Sequence, residues 1–253
     1  MPTIDLNADL GEGDGPGVSP VDAELLRLAS SANIACGGHA GSPAVMRATV
    51  TLAAQLGVAI GAHPGYPDRD GFGRRELGMS PAEVRRTVVG QITALARACD
   101  AAQARLRYVK PHGALYHRAV RDVACAEALV TGVRQVDPRL ILLALPGSAM
   151  TAAAARAGTV TAAEAFVDRA YLADGSLVPR SEPGAVLDDV AVLSERALGM
   201  VTAHEVRAID GTRVVIEPKS LCVHGDGPNA VALLRAVRAR LEQAGVTIGP
   251  FAP

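Results

Sequence analysis

The segment Ile4-Asp5-Leu6-Asn7-Ala8-Asp9-Leu10-Gly11-Glu12-Gly13 alternates apolar and polar residues near the start of the chain. Successive side chains of a β-strand point to opposite faces, so this alternation predicts that Asp5, Asn7 and Asp9 form one row. A polar strand end followed by a helix cap would also contain Asp and Asn. Three polar side chains in a row exceed what capping requires, and we therefore expect them to have a functional role.

Four more polar segments follow short apolar runs, and each contains a histidine. These histidines are His39, His63, His112 and His224. In parallel α/β proteins the functional site is built where the strands end and the next loops begin. Several such segments therefore predict one site that is assembled from many strand ends.

The whole chain alternates strand-like runs with longer segments of helical period, as in repeated βα units. The predicted strands are 3–7, 31–36, 58–62, 106–110, 140–145, 159–164 and 220–224. The predicted helices are 21–30, 43–56, 81–102, 122–136, 148–157, 187–200 and 228–244.

An open doubly wound sheet would place its site near two or three strand ends. Polar segments here follow six of the seven predicted strands, which favours an irregular α/β barrel, that is, a (β/α) barrel of about seven strands. Residues 205–216 alternate in polarity and turn at Asp210-Gly211, so they predict a β-hairpin inserted before the last strand. No linker or repeat interrupts the chain, and we expect residues 1–253 to form a single domain.

The composition limits the classes of partner. The net charge of −1 argues against nucleic acid, which favours a basic face. No apolar run is long enough to cross a membrane, and no secretion signal precedes the first strand, so we expect a cytoplasmic protein. Cys99 and Cys125 lie in helical patterns as small apolar residues, and for Cys36 and Cys222 core packing is favoured over a nucleophilic role.

Two chemistries fit the polar segments. The histidines, with Asp5 or Asp9, could hold a divalent metal ion that activates water. Alternatively, they could act without a metal as acid, base and hydrogen-bond donors. No motif decides between the two, and His117 and His204 are expected to lie outside this group.

Lysine is rare among the basic residues of this chain. Of 25 Lys and Arg residues, just Lys110 and Lys219 are lysine, and both lie beside a histidine segment. Arg69 and Arg74 lie in a charged loop after His63, which is either solvated or anion-binding. The chain has no Walker motif and no dinucleotide fingerprint, so the sequence gives no support for a nucleotide site of its own.

The chain resembles the LamB/YcsF family over its full length. The resemblance rests on the first segment and on the motifs 31–37, 61–64, 66–75, 109–116, 166–181 and 222–226. It has local departures, since Ser42 stands where an aspartate is usual and His117 replaces an asparagine. Lys110 lies within a matching motif, whereas Lys219 does not.

The resemblance implies a barrel of the glycoside hydrolase/deacetylase type. It also implies cleavage of 5-oxo-L-proline to L-glutamate, driven by ATP hydrolysis. The chain would act in a 5-oxoprolinase complex with two partner subunits, B and C, and this complex would bind and hydrolyse the ATP. The expected catalytic residues are Asp5, Asn7, Asp9, His63, Lys110 and His112. The expected substrate-binding residues are Glu12, His39, Arg69, Arg74, Asp168, Arg169, His224 and Asp226.

Individual roles follow from residue type. Asp5, Asp9 or His63 would be the general base, and Lys110 with His112 would stabilise developing negative charge. Changing Lys110 to Met, or Asp5 to Asn, is expected to abolish turnover and leave the fold intact. No metal ligand is assigned, although a divalent ion at the Asp/His residues is compatible with the sequence.

Two other functions stay open at this point. The barrel and its Asp/His residues would also suit a stand-alone metal-dependent amidase or deacetylase. A non-catalytic subunit that binds substrate or braces its partners is the third possibility, although a brace would not need so many titratable groups at strand ends.

Overall fold

The computed structural model describes residues 1–224, Gly227 and residues 229–252. Within them, seven parallel strands close into a ring, because the first strand pairs with both the second and the ninth. The ring consists of β1 (Thr3–Leu10), β2 (Ser31–Ala35), β3 (Ala59–His63), β4 (Leu106–Val109), β5 (Ile141–Ala144), β6 (Thr161–Phe166) and β9 (Ser220–Val223). The predicted seven-stranded (β/α) barrel is therefore confirmed.

Helices surround the ring and bury its outer face. They are α1 (Pro20–Leu28), α2 (Pro43–Gln55), α3 (Pro81–Ala101), α4 (Gly113–Arg121), α5 (Val123–Val136), α6 (Ala149–Ala157), α7 (Val190–Thr202) and α8 (Ala230–Gln243). The start of α3 illustrates how the sequence sets a boundary. Ser80 and Glu83 form a reciprocal capping box, and Pro81 occupies the first turn, where no backbone donor is needed.

Three features differ from the predicted elements. β1 continues to Leu10, so the whole Asp5–Asp9 row lies on the strand. The short helix α4 begins at Gly113, directly after a polar segment where no helix is predicted. A two-residue strand, β10 (Thr247–Ile248), pairs with the start of β1. The predicted hairpin is confirmed as β7 (Glu205–Arg207) and β8 (Arg213–Val215), which pair with each other and not with the barrel.

The barrel interior is polar, whereas the layer between the strands and helices is apolar. Leu6, Ala8 and Leu10 of β1 belong to that apolar layer. Inside, the ring of Tyr108 crosses over Gly61, where a Cβ atom would lie 2.2 Å from the ring. Glycine is needed there because any larger residue would displace the tyrosine, whose hydroxyl donates to Asn33 at 2.7 Å.

Asp5 forms the floor of the barrel. Its carboxylate accepts hydrogen bonds from Ser30 and Ser31, each at 2.6 Å, and a further bond from Ser220. Burial raises the pKa of Asp5 to about 6, and the serine hydroxyls offset part of this effect. In the described part of the chain, no helix is both long and apolar enough to span a membrane.

Asp5 therefore predicts a pH dependence of stability. The folded state holds the Asp5 proton more tightly than the unfolded state, so its contribution to stability falls as the pH rises from about 4 to about 6. The two pKa values differ by about two units, which corresponds to roughly 3 kcal/mol. We expect the free energy of unfolding of Asp5→Asn, relative to that of wild type, to rise by roughly 3 kcal/mol from pH 4 to pH 7. Urea denaturation at each pH measures this difference.

The exposed Asp188 provides the matched control, because Asp188→Asn removes a carboxylate that lies at the surface. Its difference from wild type should stay constant over the same range. If the Asp5→Asn difference were equally constant, a raised pKa at the barrel floor would be excluded.

Candidate active site

A cavity opens where the C-terminal ends of the barrel strands meet. It contains about 100 Å³ of space that water-sized molecules can reach, and it is open to solvent at its mouth. Its lining consists of Asp9, Glu12, His63, Phe72, Arg74, Lys110, Pro111, His112, Gly113, Ala114, Tyr116, His117, Phe166, Arg169, Leu177, Arg180 and His224.

The cavity brings together eight of the fourteen residues expected from the sequence. These are Asp9, Glu12, His63, Arg74, Lys110, His112, Arg169 and His224. Five others do not line it, namely Asp5, Asn7, His39, Arg69 and Asp168. Asp226 lies outside the described residues.

Lys110 is the charged centre beneath the cavity. Its Nζ lies 2.8 Å from Glu164 Oε1, 3.0 Å from Asp9 Oδ1, 3.0 Å from Cys222 Sγ and 3.2 Å from Asn7 Oδ1. Burial alone would lower the pKa of Lys110, but these neighbours outweigh it and hold the pKa well above the usual value. An ammonium group has three protons. Three hydrogen-bond acceptors share them and Glu164 adds an ion pair, so Lys110 holds Asp9 in position.

Asp9 connects this centre to the cavity. Its Oδ1 accepts from Lys110 and, at 2.8 Å, from Asn33 Nδ2. Burial would raise the pKa of Asp9, but His63 and Lys110 outweigh that effect and hold it well below the usual value. Because Asp9 also lines the cavity, it presents an ionised carboxylate to a bound ligand.

His39, His63 and His112 converge with Glu12 into one group, which we call the histidine cluster. The rings of His39 and His112 stack at 3.7 Å between centroids. His39 Nε2 lies 3.0 Å from Glu12 Oε1, and His112 Nδ1 lies 3.0 Å from His63 Nε2. Burial lowers the pKa of His39 to about 3 and also lowers that of His112, and in both cases His63 adds to the effect.

His224 is oriented by a buried carboxylate. Its Nδ1 lies 2.8 Å from Asp168 Oδ2 and 2.9 Å from Oδ1, and its ring stacks on Phe166. Burial would raise the pKa of Asp168, but the His224 imidazole outweighs it and keeps the pKa low. An ionised Asp168 accepts the proton on Nδ1, which leaves Nε2 as the basic nitrogen of His224.

Two arginines that follow β6 give the cavity a cationic side. Arg169 is buried, and its guanidinium is fixed by bonds to the carbonyls of Val178 (2.6 Å) and Ala185 (3.2 Å). Burial lowers the pKa of Arg169, and the nearby Arg180 adds to this. Among the described residues no carboxylate pairs with either arginine. Both are therefore suited to bind an anionic ligand.

The other predicted residues have supporting positions. Arg69 donates to the Gly41 carbonyl at 2.8 Å and to Asp14 at 3.3 Å, so it holds a loop together and does not reach the cavity. Arg74 lies over the Phe72 ring at the cavity wall. Asn7 lies deeper, bonded to Ser220 at 2.7 Å.

Several residues of the site are not predicted from the sequence. Glu164 is one of them, although it is the single charged residue of the apolar strand β6. His117 was expected outside the site but lines the cavity, because α4 turns it toward the mouth. Burial lowers the pKa of His117 to about 4, and the nearby Arg169 and Arg180 reinforce this. His204 is exposed, as expected. Burial raises the pKa of Cys36 to about 12 and raises that of Cys222 well above its usual value, which keeps both as thiols.

The family model of the LamB/YcsF proteins matches residues 4–253. The chain belongs to the LamB/YcsF family. A relative from Streptomyces coelicolor, named as a 5-oxoprolinase subunit, is 52% identical over 249 residues, which cover 98% of this chain and 100% of the relative. A Heliobacterium modesticaldum protein of the same name is 50% identical over 245 residues, covering 97% of this chain and 96% of its own.

A solved structure extends the similarity to the fold. The crystal structure of a lactam utilization protein from Thermus thermophilus superposes with a TM-score of 0.93 at 47% identity. The match covers 98% of this chain and 100% of the other. The barrel fold is thus shared over 98% of this chain.

The position of Lys110 predicts that its replacement destabilises the fold, contrary to the expectation from the sequence. Lys110→Met would leave Asp9 and Glu164 as buried carboxylates without their counter-ion. Breaking a buried ion pair in this way costs about 3 to 5 kcal/mol. We expect urea denaturation to show a loss of this size, and Lys110→Met/Glu164→Gln to recover part of it.

Lys219→Met is the matched control, because the other lysine of the chain is exposed. It should unfold at nearly the wild-type urea concentration. Wild-type stability of Lys110→Met would contradict the buried charge network described here.

Proposed function

We propose that this chain cleaves the lactam of 5-oxo-L-proline to give L-glutamate, as one subunit of an ATP-hydrolysing complex. One observation carries the proposal: a small cavity contains both a cationic side and a set of acid/base groups, in a chain related along its whole length to proteins named as subunits of 5-oxoprolinase. The substrate has matching parts, a carboxylate and a cyclic amide.

The carboxylate of the substrate would bind on the β6 side of the cavity. Arg169 is held in place by backbone carbonyls, so little conformational entropy is lost when its remaining donors bind a ligand. Arg180 lies beside it and lacks a carboxylate partner among the described residues. Two such guanidinium groups support recognition of a carboxylate by charge-assisted hydrogen bonds.

The lactam would then lie near Asp9 and His224. A carboxylate oxygen of Asp9 and a ring nitrogen of His224 lie within 4.8 Å of each other, a separation that one water molecule can bridge. Asp168 fixes the tautomer of His224, as the carboxylate does in a catalytic triad. We assign His224 as the general base and Asp9 as the group that orients the water. His224 takes the place of the three candidates from the sequence, Asp5, Asp9 and His63; of these, Asp5 lies on the barrel floor.

The coupling to ATP is assigned to the partner subunits, B and C. An amide is a poor electrophile, and phosphorylation of the lactam oxygen would activate its carbon toward water. Addition of water and cleavage of the carbon–nitrogen bond, with a proton taken up by the nitrogen, would open the ring and leave the phosphoryl group on the new carboxyl group. A second water would then release inorganic phosphate and give L-glutamate. The sequence of this chain has no phosphate-binding loop of the Walker type, which supports this division of labour.

Two further assignments accompany the function. We propose a cytoplasmic location, because the reaction consumes ATP. We also propose that residues 1–253 form one domain, since β10 near the end of the chain pairs with β1 at its start.

The function is tested by assaying glutamate released from 5-oxoproline and ATP. We expect release when this chain is combined with its co-purified partner subunits, and none from the chain alone. Release by the chain alone without ATP would favour a stand-alone amidase. Unchanged release by the partners without this chain would favour a non-catalytic role.

The general base is tested in the same reconstituted complex. His224→Gln should lower kcat by about 10²- to 10⁴-fold, the usual contribution of a general base, with a much smaller change in KM. His204→Gln is the control, because this histidine is exposed and is not part of the cavity lining. A kcat within a factor of two of wild type in His224→Gln would remove His224 from the mechanism.

A further inference from the structure

We propose that the histidine cluster is a binding site for one divalent transition-metal ion of the zinc class, with His39, His63, His112 and Glu12 as ligands. The four candidate donor atoms, one from each residue, all lie within 4.8 Å of one another. The three imidazoles are buried, and Glu12 faces the cavity.

The hydrogen bonds of two imidazoles carry the argument. His63 Nδ1 lies 2.8 Å from the carbonyl oxygen of Lys110, and His112 Nε2 lies 2.8 Å from that of Phe72. A carbonyl oxygen only accepts, so both of these ring nitrogens must carry the proton. In the neutral rings, the other two nitrogens, His63 Nε2 and His112 Nδ1, then have lone pairs.

Those two lone pairs face each other at a distance of 3.0 Å. Two acceptors at this separation repel unless a proton or a metal ion lies between them. The negative groups nearby favour such a cation, because Glu12 Oε1 is 3.6 Å from His112 Nδ1 and Asp9 Oδ1 is 3.5 Å from His63 Nε2.

The spacing of the donors fits a metal ion. Tetrahedral ligands about 2.0 to 2.1 Å from zinc are separated from one another by roughly 3.3 Å. The measured separations lie on both sides of that value. They are 3.0 Å between His63 and His112, 3.0 Å between His39 and Glu12, and 3.6 Å between His112 and Glu12. Because the His39 and His112 rings are stacked with nearly parallel planes, one of them would have to rotate for both lone pairs to reach the ion.

The surroundings resemble those of metal-binding histidines in general. A ligating imidazole usually donates its other N–H group to a backbone carbonyl or carboxylate, which fixes the tautomer. His63 and His112 both have such a carbonyl. Three imidazoles and one carboxylate favour zinc, cobalt or nickel over calcium or magnesium, which prefer oxygen ligands.

Binding of the ion is a property of this chain alone, and only its role in the reaction rests on the proposed function. Glu12 lies on the cavity side of the cluster. An ion held there would supply Lewis-acid chemistry at the edge of the cavity that contains Asp9 and His224.

The test uses the full chain, first treated with a chelator and then titrated with Zn²⁺ by calorimetry and with Co²⁺ by visible absorption. We expect one ion per chain and the intense visible absorption of four-coordinate cobalt. His63→Gln and His112→Gln should each weaken Zn²⁺ binding at least tenfold. Glu12→Gln, at the more exposed ligand, tests the same site if a histidine variant fails to fold.

Two control variants keep the assignment specific. His204→Gln changes an exposed histidine, and His117→Gln changes a histidine that lines the cavity outside the cluster. Both should bind Zn²⁺ like wild type. Absence of saturable binding, or equal affinity in His63→Gln, His112→Gln and Glu12→Gln, would overturn the proposal and indicate that a proton occupies the His63–His112 contact. Because binding is measured without partners or substrate, it can fail or succeed independently of glutamate release.

Discussion

The buried ammonium group of Lys110 is the constraint on which the interior of this barrel depends. A charge this deep is tolerated only when opposite charges and hydrogen-bond acceptors surround it. Asp9 and Glu164 supply the charges from β1 and β6, on either side of β9 in the ring. The ion pairs therefore tie together strands that are far apart in the sequence, and they fix where the carboxylate of Asp9 points.

Lys110 also controls the neighbouring histidines, through its backbone. Its carbonyl oxygen receives the Nδ1 proton of His63, whereas its side chain holds Asp9. Lys110 thus sets both the tautomer of His63 and the charge of Asp9. A change at Lys110 would disturb both at once, which is why its loss is expected to affect stability as well as chemistry.

The sequence predicted which face the polar residues of β1 occupy, but not how deep each lies. Alternation placed Asp5, Asn7 and Asp9 in one row, and the structure agrees. A strand rises about 3.3 Å per residue, so Asp5 and Asp9 are separated by roughly 13 Å along the barrel. That separation puts one on the floor and the other in the cavity. Residue type alone could not distinguish them.

Other omissions have similar physical causes. Glu164 stood out as a lone charge in Thr161–Phe166, a signal that could have been used, because a buried charge requires a partner. Arg180 lies in an irregular loop with no periodicity, so nothing local pointed to the cavity. His117 was misplaced because α4 begins directly at Gly113, without a side-chain cap to mark its start.

Asp9 lies between the two groups that could handle the water molecule. Its Oδ1 is 3.5 Å from His63 in the histidine cluster, and one of its oxygens lies within 4.8 Å of a His224 ring nitrogen. The Asp9 carboxylate would therefore lie between a water molecule held at the histidine cluster and His224, the proposed base. Because Lys110 and Asn33 hold Asp9 ionised and fixed, that carboxylate can orient the water without taking its proton. In the proposed mechanism the proton would go to His224, whose partner Asp168 would stabilise the resulting positive charge.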